Sequence, residues 1–232
     1  MINYLFDIDG TLTPHRQPMV KSFKIFFADW ISKKRDQNAK VFLVTGSDKD
    51  KTIEQIGLPL WRFVDGSYQN CGNKLYKKGK FIKQSKWRMS AYLRLDILML
   101  LEKSPFFGLA ENNIEERSGM ANISCIGRTA TKQQRETYHE YDKRVGERKE
   151  MVARLSMLHP KLEFSIGGQI SIDVYPKGKD KSQVLRDMTG GTIFFGDKCE
   201  GGNDYHISRK SDKYYNVNNW EETYEILNKM LQ

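Results

Sequence analysis

The sequence predicts an α/β protein: a parallel-sheet core interrupted by an inserted α+β unit whose strands form an antiparallel sheet with helices. Three observations carry this. Nearly continuous apolar runs at 2–6 (INYLF), 41–44 (VFLV) and 192–195 (TIFF) each stop at a polar, chemistry-bearing residue, as buried parallel strands do at their carboxyl ends. A helical pattern lies between the first two runs, which makes a β-α-β unit. Between about 80 and 178 the texture changes to alternating strand-like segments and charged helices, and such a stretch favours an antiparallel layer over further βα units.

Taken in order, strand 2–6 ends at Asp7, and a helix over 20–34 follows with Phe23, Phe26, Phe27 and Trp30 among its apolar positions. Strand 41–44 ends in Thr45-Gly46-Ser47, a helix spans 48–57, and a short strand is expected at 62–64. The inserted stretch reads as a helix around 90–103, a strand at 119–126 (GMANISCI), a long charged helix opened by Thr131 and Gln134 as a capping box, and a strand at 169–175 (QISIDVY). The chain then returns through 192–195 into Gly196-Asp197. It closes with a helix begun by Asn219 and Glu222 as a capping box, with Trp220, Tyr224, Leu227 and Leu231 as its apolar stripe. The expected division is 1–79 and 179–232 for the core and 80–178 for the insertion, with the ligand in the cleft between them.

With 232 residues, 39% hydrophobic and 29% charged, the chain can bury a core and belongs among soluble globular proteins. No run of about 18 apolar residues occurs, and the N-terminus lacks the layout of a secretory signal. The three cysteines are odd in number and far apart, which supports neither a disulfide framework nor a CxxC metal site. A cytoplasmic protein is expected. The net charge of +9 suits anionic partners without naming them.

The segment 7–13, Asp-Ile-Asp-Gly-Thr-Leu-Thr, puts two carboxylates just past an apolar strand. Magnesium takes oxygen ligands, often one or two carboxylates plus substrate phosphate, so Asp7, Asp9 and the strand-end Asp197 are the expected metal ligands. An aspartate attacking a phosphate must overcome like-charge repulsion, which a bound cation and a lysine offset. Asp7 is the expected nucleophile. Asp9, kept close by the turn at Gly10, is the expected general acid and base. An isolated DxD is more often a helix cap or turn. Here it is followed in order by Thr-Gly-Ser, a lysine, and strand–Gly-Asp with Gly-Gly-Asn-Asp, a joint pattern far more specific than any one part.

That ordered set resembles the haloacid dehalogenase (HAD) superfamily of phosphotransferases and implies a HAD-like Rossmannoid core with a cap domain. The resemblance implies that Thr45 or Ser47 bonds the transferring phosphoryl group, that Lys181 balances its charge and the nucleophile's, that Asp197 ligates magnesium, and that Asn203 and Asp204 support the site. Within the superfamily the chain looks most like the eukaryotic-type phosphomannomutases. The matching stretches are DIDGTLTPHRQ from Asp7, RSGMANISCIGR from Arg117, TKQQR ending at Arg135, GGQISIDVYPKGKDK from Gly167, and FGDKCEGGND from Phe195. Thr45 stands where that family's pattern has glycine, and the loop between Lys198 and Gly201 is one residue shorter.

This likeness implies interconversion of mannose 6-phosphate and mannose 1-phosphate, in mannose metabolism leading to GDP-mannose, through phospho-Asp7 with hexose 1,6-bisphosphate as activator. Arg117, Arg128 and Arg135, with Arg16 from the core, are then the expected clamp for the phosphate that is not transferred. On strand 169–175 Ser171 and Asp173 share a face opposite Ile170, Ile172 and Val174, so the polar pair is expected to point outward toward sugar hydroxyls. A homodimer joined through the cap is implied as well. The alternative is a sugar-phosphate phosphatase of the same superfamily, in which water attacks phospho-Asp7. A silent anion-binding module is disfavoured by the intact Asp7, Asp9, Lys181 and Asp197, and no nucleic-acid motif or stacking stripe suggests nucleic-acid binding.

Overall fold

A computed structural model describes residues 1–231 and divides the chain into two compact units, Met1–Ser85 with the residues from Lys179 onward, and Lys86–Gly178. The first unit opens with β1 (Ile2–Phe6), α1 (Lys21–Asp36) and β2 (Ala39–Val44). Along α1 the buried residues Phe23, Phe27, Trp30, Ile31 and Lys34 recur at helical spacing. This stripe covers the sheet: the Trp30 ring meets Tyr4 edge-on at 4.9 Å, and Phe27 meets Phe6 at 5.1 Å.

Next come α2 (Lys49–Ile56), begun by Asp48 accepting from Lys51 N, and α3 (Leu58–Phe63). The strand expected at 62–64 is therefore mostly helix. Pro59 near its start suits the first turn of a helix, and Leu60 and Trp61 are the residues it buries. The strand lies just beyond, as β3 (Gly66–Gln69), followed by the hairpin strands β4 (Lys74–Lys77) and β5 (Lys80–Gln84). Because β5 pairs with β4 in the core sheet, the first boundary falls at Ser85/Lys86 rather than at 79/80.

The second unit contains α4 (Ala91–Leu101), β6 (Ile114–Arg117), β7 (Met120–Ser124), α5 (Lys132–Val145), α6 (Glu147–Leu158), β8 (Leu162–Gly167) and β9 (Ser171–Pro176). Its sheet is antiparallel, in the order β6-β7-β9-β8. The expected single charged helix is two, because Gly146 takes a left-handed turn at φ 75° that ends α5. Both arms of the Thr131/Gln134 capping box form. One sheet face buries Ala121, Ile123, Phe164, Ile172 and Val174 against Leu93, Ile97, Tyr138, Met151 and Leu155 of the helices. The buried Arg148 pairs with Asp142 at 2.8 Å and donates to the carbonyls of Gly168 and Ser171, tying the α5–α6 hairpin to the β8–β9 turn.

The chain returns to the first unit through a 3₁₀ stretch at Lys181–Asp187 and then β10 (Gly191–Gly196), α7 (Tyr205–Lys210), β11 (Lys213–Asn216) and α8 (Trp220–Lys229). At α8 only half of the expected capping box forms: Asn219 accepts from Glu222 N, but the Glu222 carboxylate bonds Asn218 instead. The core sheet runs β11-β10-β1-β2-β3-β4-β5, parallel as far as β3. The strand order reverses at β1, so the ends of β10, β1 and β2 stand side by side at the kind of switch point where open α/β sheets bind ligands.

Candidate active site

Asp7 directly follows β1, Thr45 follows β2 and Asp197 follows β10, so three neighbouring parallel strands deliver them to the carboxyl end of the sheet. The Asp7 amide donates to Phe195 O at 2.9 Å, which continues the ladder past the last paired residue. Just past Asp9 the chain turns, with the amides of Thr11, Leu12 and Thr13 donating to Ile8 O, and Gly10 takes the left-handed φ of 83° within that turn. A side chain there would stand 2.8 Å from Asp197 Oδ2, so glycine also admits the loop close to that carboxylate.

Lys181 is almost wholly buried and holds two carboxylates, with its Nζ 2.8 Å from Asp7 Oδ1 and 2.6 Å from Asp204 Oδ1. Asp180 caps the 3₁₀ stretch by accepting from Ser182 N, which aims Lys181 inward. Asp204 also accepts from Lys198 N and packs against the backbone of Gly196. Asn203 lies half-buried in the preceding loop. Burial above all raises the pKa of Asp7, to about 8; Lys181 opposes this, while Asp204 and Asp197 add to it. Asp197 is likewise raised by burial and then by Asp204, against Lys198 at 3.1 Å. Lys181 stays protonated: burial would lower its pKa, but Asp204 and Asp7 raise it well above the ordinary value.

One carboxylate oxygen from each of Asp7, Asp197 and Asp204 lies within 4.8 Å of the others. The donor set is all oxygen and rich in negative charge, which fits a hard divalent cation such as magnesium. Of the expected set Asp7, Asp9 and Asp197, the side chains of Asp7 and Asp197 gather here with that of Asp204. Asp9 is turned elsewhere. Its Oδ2 meets Lys51 Nζ at 2.6 Å, and its Oδ1 accepts from Gln55 Nε2 and from the Arg16 backbone N–H, each at 2.7 Å. Burial would raise the Asp9 pKa, but Lys51 and these hydrogen bonds lower it below the ordinary aspartate value. Lys51 and Gln55 were not anticipated; their i, i+4 spacing on α2, which puts them on one helix face, was the available signal.

Thr45 and Ser47 are buried in the turn after β2, where Ser47 N donates to Thr45 Oγ1 at 3.1 Å. Thr45 N is held by Tyr68 O, and Asn70 N by Ser47 O. Arg16 takes φ 58° and has an exposed side chain, so its established contact with the site is through its backbone N–H.

In the second unit the sheet face opposite the helices is polar. Arg117 and Glu115 lie two apart on β6; Glu115 pairs across with Asn122 of β7, and Asn122 with Asp173 of β9. Arg117 Nε and Arg128 Nε both reach the Glu115 carboxylate, at 2.9 and 2.8 Å. Arg128 Nη1 also donates to Asn122 Oδ1, and Asn122 Nδ2 to Asp173 Oδ1. Arg135 is buried and braces the loop before α5, donating from Nε to Ala130 O at 2.8 Å and from Nη2 to Arg128 O. Ser171 and Asp173 lie opposite Ile172 and Val174, and both are buried. Asp173 is drawn in by Asn122 and by the room that Gly167 leaves beside its carboxylate. Glu115 and Asn122 had not been picked out; a carboxylate two residues before an arginine on a strand was the only sign.

The sequence model of the family described as eukaryotic phosphomannomutase matches residues 27–232. A phosphomannomutase of Arabidopsis thaliana is 38% identical over 217 residues, covering 88% of this chain and 85% of that protein. One of Encephalitozoon cuniculi is 34% identical over 246 residues, covering 99% of this chain and 93% of its own length. Among solved structures, an IMP-nucleotidase of Plasmodium falciparum superposes with a TM-score of 0.65 at 16% identity, covering 99% of this chain and 68% of that one. A HAD subclass IIB sugar phosphatase gives 0.57 at 16% identity, covering 92% and 93%. At such identities the structures establish the shared HAD fold and nothing finer.

Proposed function

The chain belongs to the eukaryotic phosphomannomutase family, and on that footing we propose that it interconverts mannose 6-phosphate and mannose 1-phosphate through phospho-Asp7, with a hexose 1,6-bisphosphate as activator. The observation that carries the reading is the buried Lys181 ammonium lying between Asp7 and Asp204 beyond the carboxyl end of the central strand β1. A buried carboxylate pair that costly to desolvate is suited to receive and return a phosphoryl group.

Starting from phospho-Asp7, the hydroxyl of a hexose monophosphate loses its proton to Asp9 as its oxygen bonds to phosphorus, and Asp7 leaves as a carboxylate. The bisphosphate reverses, Asp7 takes the other phosphoryl group, and Asp9 returns the proton to the departing oxygen. An Asp9 held ionised by Lys51, Gln55 and Arg16 N–H is prepared for the first of these roles. Lys181 keeps Asp7 aimed and offsets charge as the phosphoryl group arrives. Magnesium bound by Asp7, Asp197 and Asp204 would supply the positive charge that keeps Asp7 ionised beside phosphate. The second unit's arginines would hold the phosphate not in transfer.

Mannose 1-phosphate, supplied with and without hexose 1,6-bisphosphate, tests the reading by its products. Mannose 6-phosphate that forms faster with the activator supports it; inorganic phosphate and free mannose with no mannose 6-phosphate would make the protein a phosphatase.

The proposal extends to a homodimer joined through the second unit. Helix α4 buries Leu93, Ile97 and Leu101 and exposes Tyr92, Leu95 and Met99 on another face, an apolar stripe suited to a second copy. Sedimentation of Leu95→Glu against the parent chain tests this, with a shift to monomer expected. A cytoplasmic setting accords with three buried cysteines that form no disulfide. No helix among the described residues is long and apolar enough to cross a membrane.

A further inference from the structure

Glu115 holds two arginines at once. Its Oε1 accepts from Arg117 Nε at 2.9 Å, while Oε2 accepts from Arg117 Nη2 at 3.0 Å and from Arg128 Nε at 2.8 Å. Donors of two guanidiniums thus converge on one oxygen atom. Arg128 is restrained from other sides too, by Asn122 Oδ1 at its Nη1 and by Arg135 at its backbone carbonyl. The row Glu115, Asn122, Asp173 runs straight across three strands, set by the pairings Glu115↔Asn122 and Asn122↔Asp173. Glu115 is therefore placed by sheet register and not by a mobile loop.

We propose that Glu115 is the positioning residue of an anion site on this face, holding Arg117 and Arg128 as one fork for the phosphate of a sugar monophosphate. This rests on the phosphate-holding role given above to the second unit. Two guanidiniums gathered at one spot repel each other, and each long side chain loses rotamer freedom when it is fixed. A carboxylate between them offsets the repulsion and orders both side chains before any ligand arrives, so that less ordering is left to binding. The Glu115 carboxyl stays ionised: burial would raise its pKa, but the Arg117 bonds and Arg128 lower it. The consequence runs against simple charge counting. Removing a negative charge from an anion site should here weaken anion binding.

Glu115→Gln keeps the size and the sheet position while removing the charge and one strong acceptor. Titration calorimetry with mannose 6-phosphate and with inorganic phosphate, beside thermal melts and steady-state kinetics, reads the result. The expectation is binding weaker by about tenfold and a KM raised to match, with kcat within about threefold and the melt little changed. Equal or tighter binding by E115Q overturns the proposal, because Glu115 would then merely compete with the anion. So does a lowered melt with kcat and kcat/KM falling together, which would make Glu115 a fold residue. A parent chain that binds neither probe overturns it as well. One that binds phosphate but does not isomerise mannose 1-phosphate defeats the mutase reading alone, and E115Q is still judged on phosphate binding.

Discussion

Lys51 Nζ lies 2.6 Å from Asp9 Oδ2, joining the first turn of α2 to the loop that follows β1. The pair sets where Asp9 titrates. In the proposed cycle Asp9 acts first as a base, so activity should rise with pH through its pKa. Against the upward push of burial, Lys51 is the foremost cause of its lowered value. Lys51→Met should therefore move the acidic limb of kcat/KM to higher pH, with the largest loss below about pH 6 and little change near pH 8. A limb that stays in place would remove Lys51 from the control of Asp9.

Asp7→Asn should abolish turnover with the fold retained, because an amide keeps the shape but cannot form an acyl phosphate. Acid-quench labelling from a labelled hexose bisphosphate checks this. Label acquired by the variant at the parent rate would move the nucleophile elsewhere.

Lys181→Met removes the buried cation shared by Asp7 and Asp204. Leaving buried carboxylates uncompensated costs about 3–5 kcal/mol, so the thermal midpoint should fall by many degrees. Added magnesium should recover more of that loss than it adds to the parent chain, since both occupy the same negative cluster. No difference in magnesium response between the two proteins would count against the Asp7, Asp197 and Asp204 site.

Gly10→Ala forces a side chain into φ 83° and toward Asp197. The conformational strain alone is worth about 1–2 kcal/mol, and displacement of Asp197 should weaken magnesium binding. The readout is magnesium titration of activity, where an unchanged half-saturation would show that the Gly10 approach does not shape the cluster.

Arg135→Ala should strip donors from the carbonyls of Arg128 and Ala130 and let the Arg128 loop shift, at about 1–3 kcal/mol in stability. Hexose bisphosphate turnover should suffer more than hydrolysis of acetyl phosphate, which has no second phosphate to hold. Equal losses with the two donors would assign Arg135 to the fold alone.

Much of this was legible along the chain. An apolar strand stopping at Asp7, the turn at Gly10, the cap at Thr131, and the alternation of Ser171 and Asp173 with Ile172 and Val174 all arise between residues close in sequence. Backbone geometry there dictates direction. Short elements misled where a proline and two apolar side chains outweighed a local pattern, as in α3, or where one glycine divided a helix, as at Gly146.

The sequence by itself determined the strand ends that carry Asp7, Thr45 and Asp197, the expectation of Asp7 as nucleophile, and the arginine-rich character of the second unit. Only the tertiary structure decided which further groups meet: Lys181 with Asp204 as well as Asp7, Asp204 beside Asp7 and Asp197 among the clustered carboxylates, Lys51 on Asp9, and Glu115 between two arginines. Periodicity is a property of neighbours. The direction of a long side chain beyond a strand end is chosen instead by burial, charge balance and sheet register against distant parts of the chain.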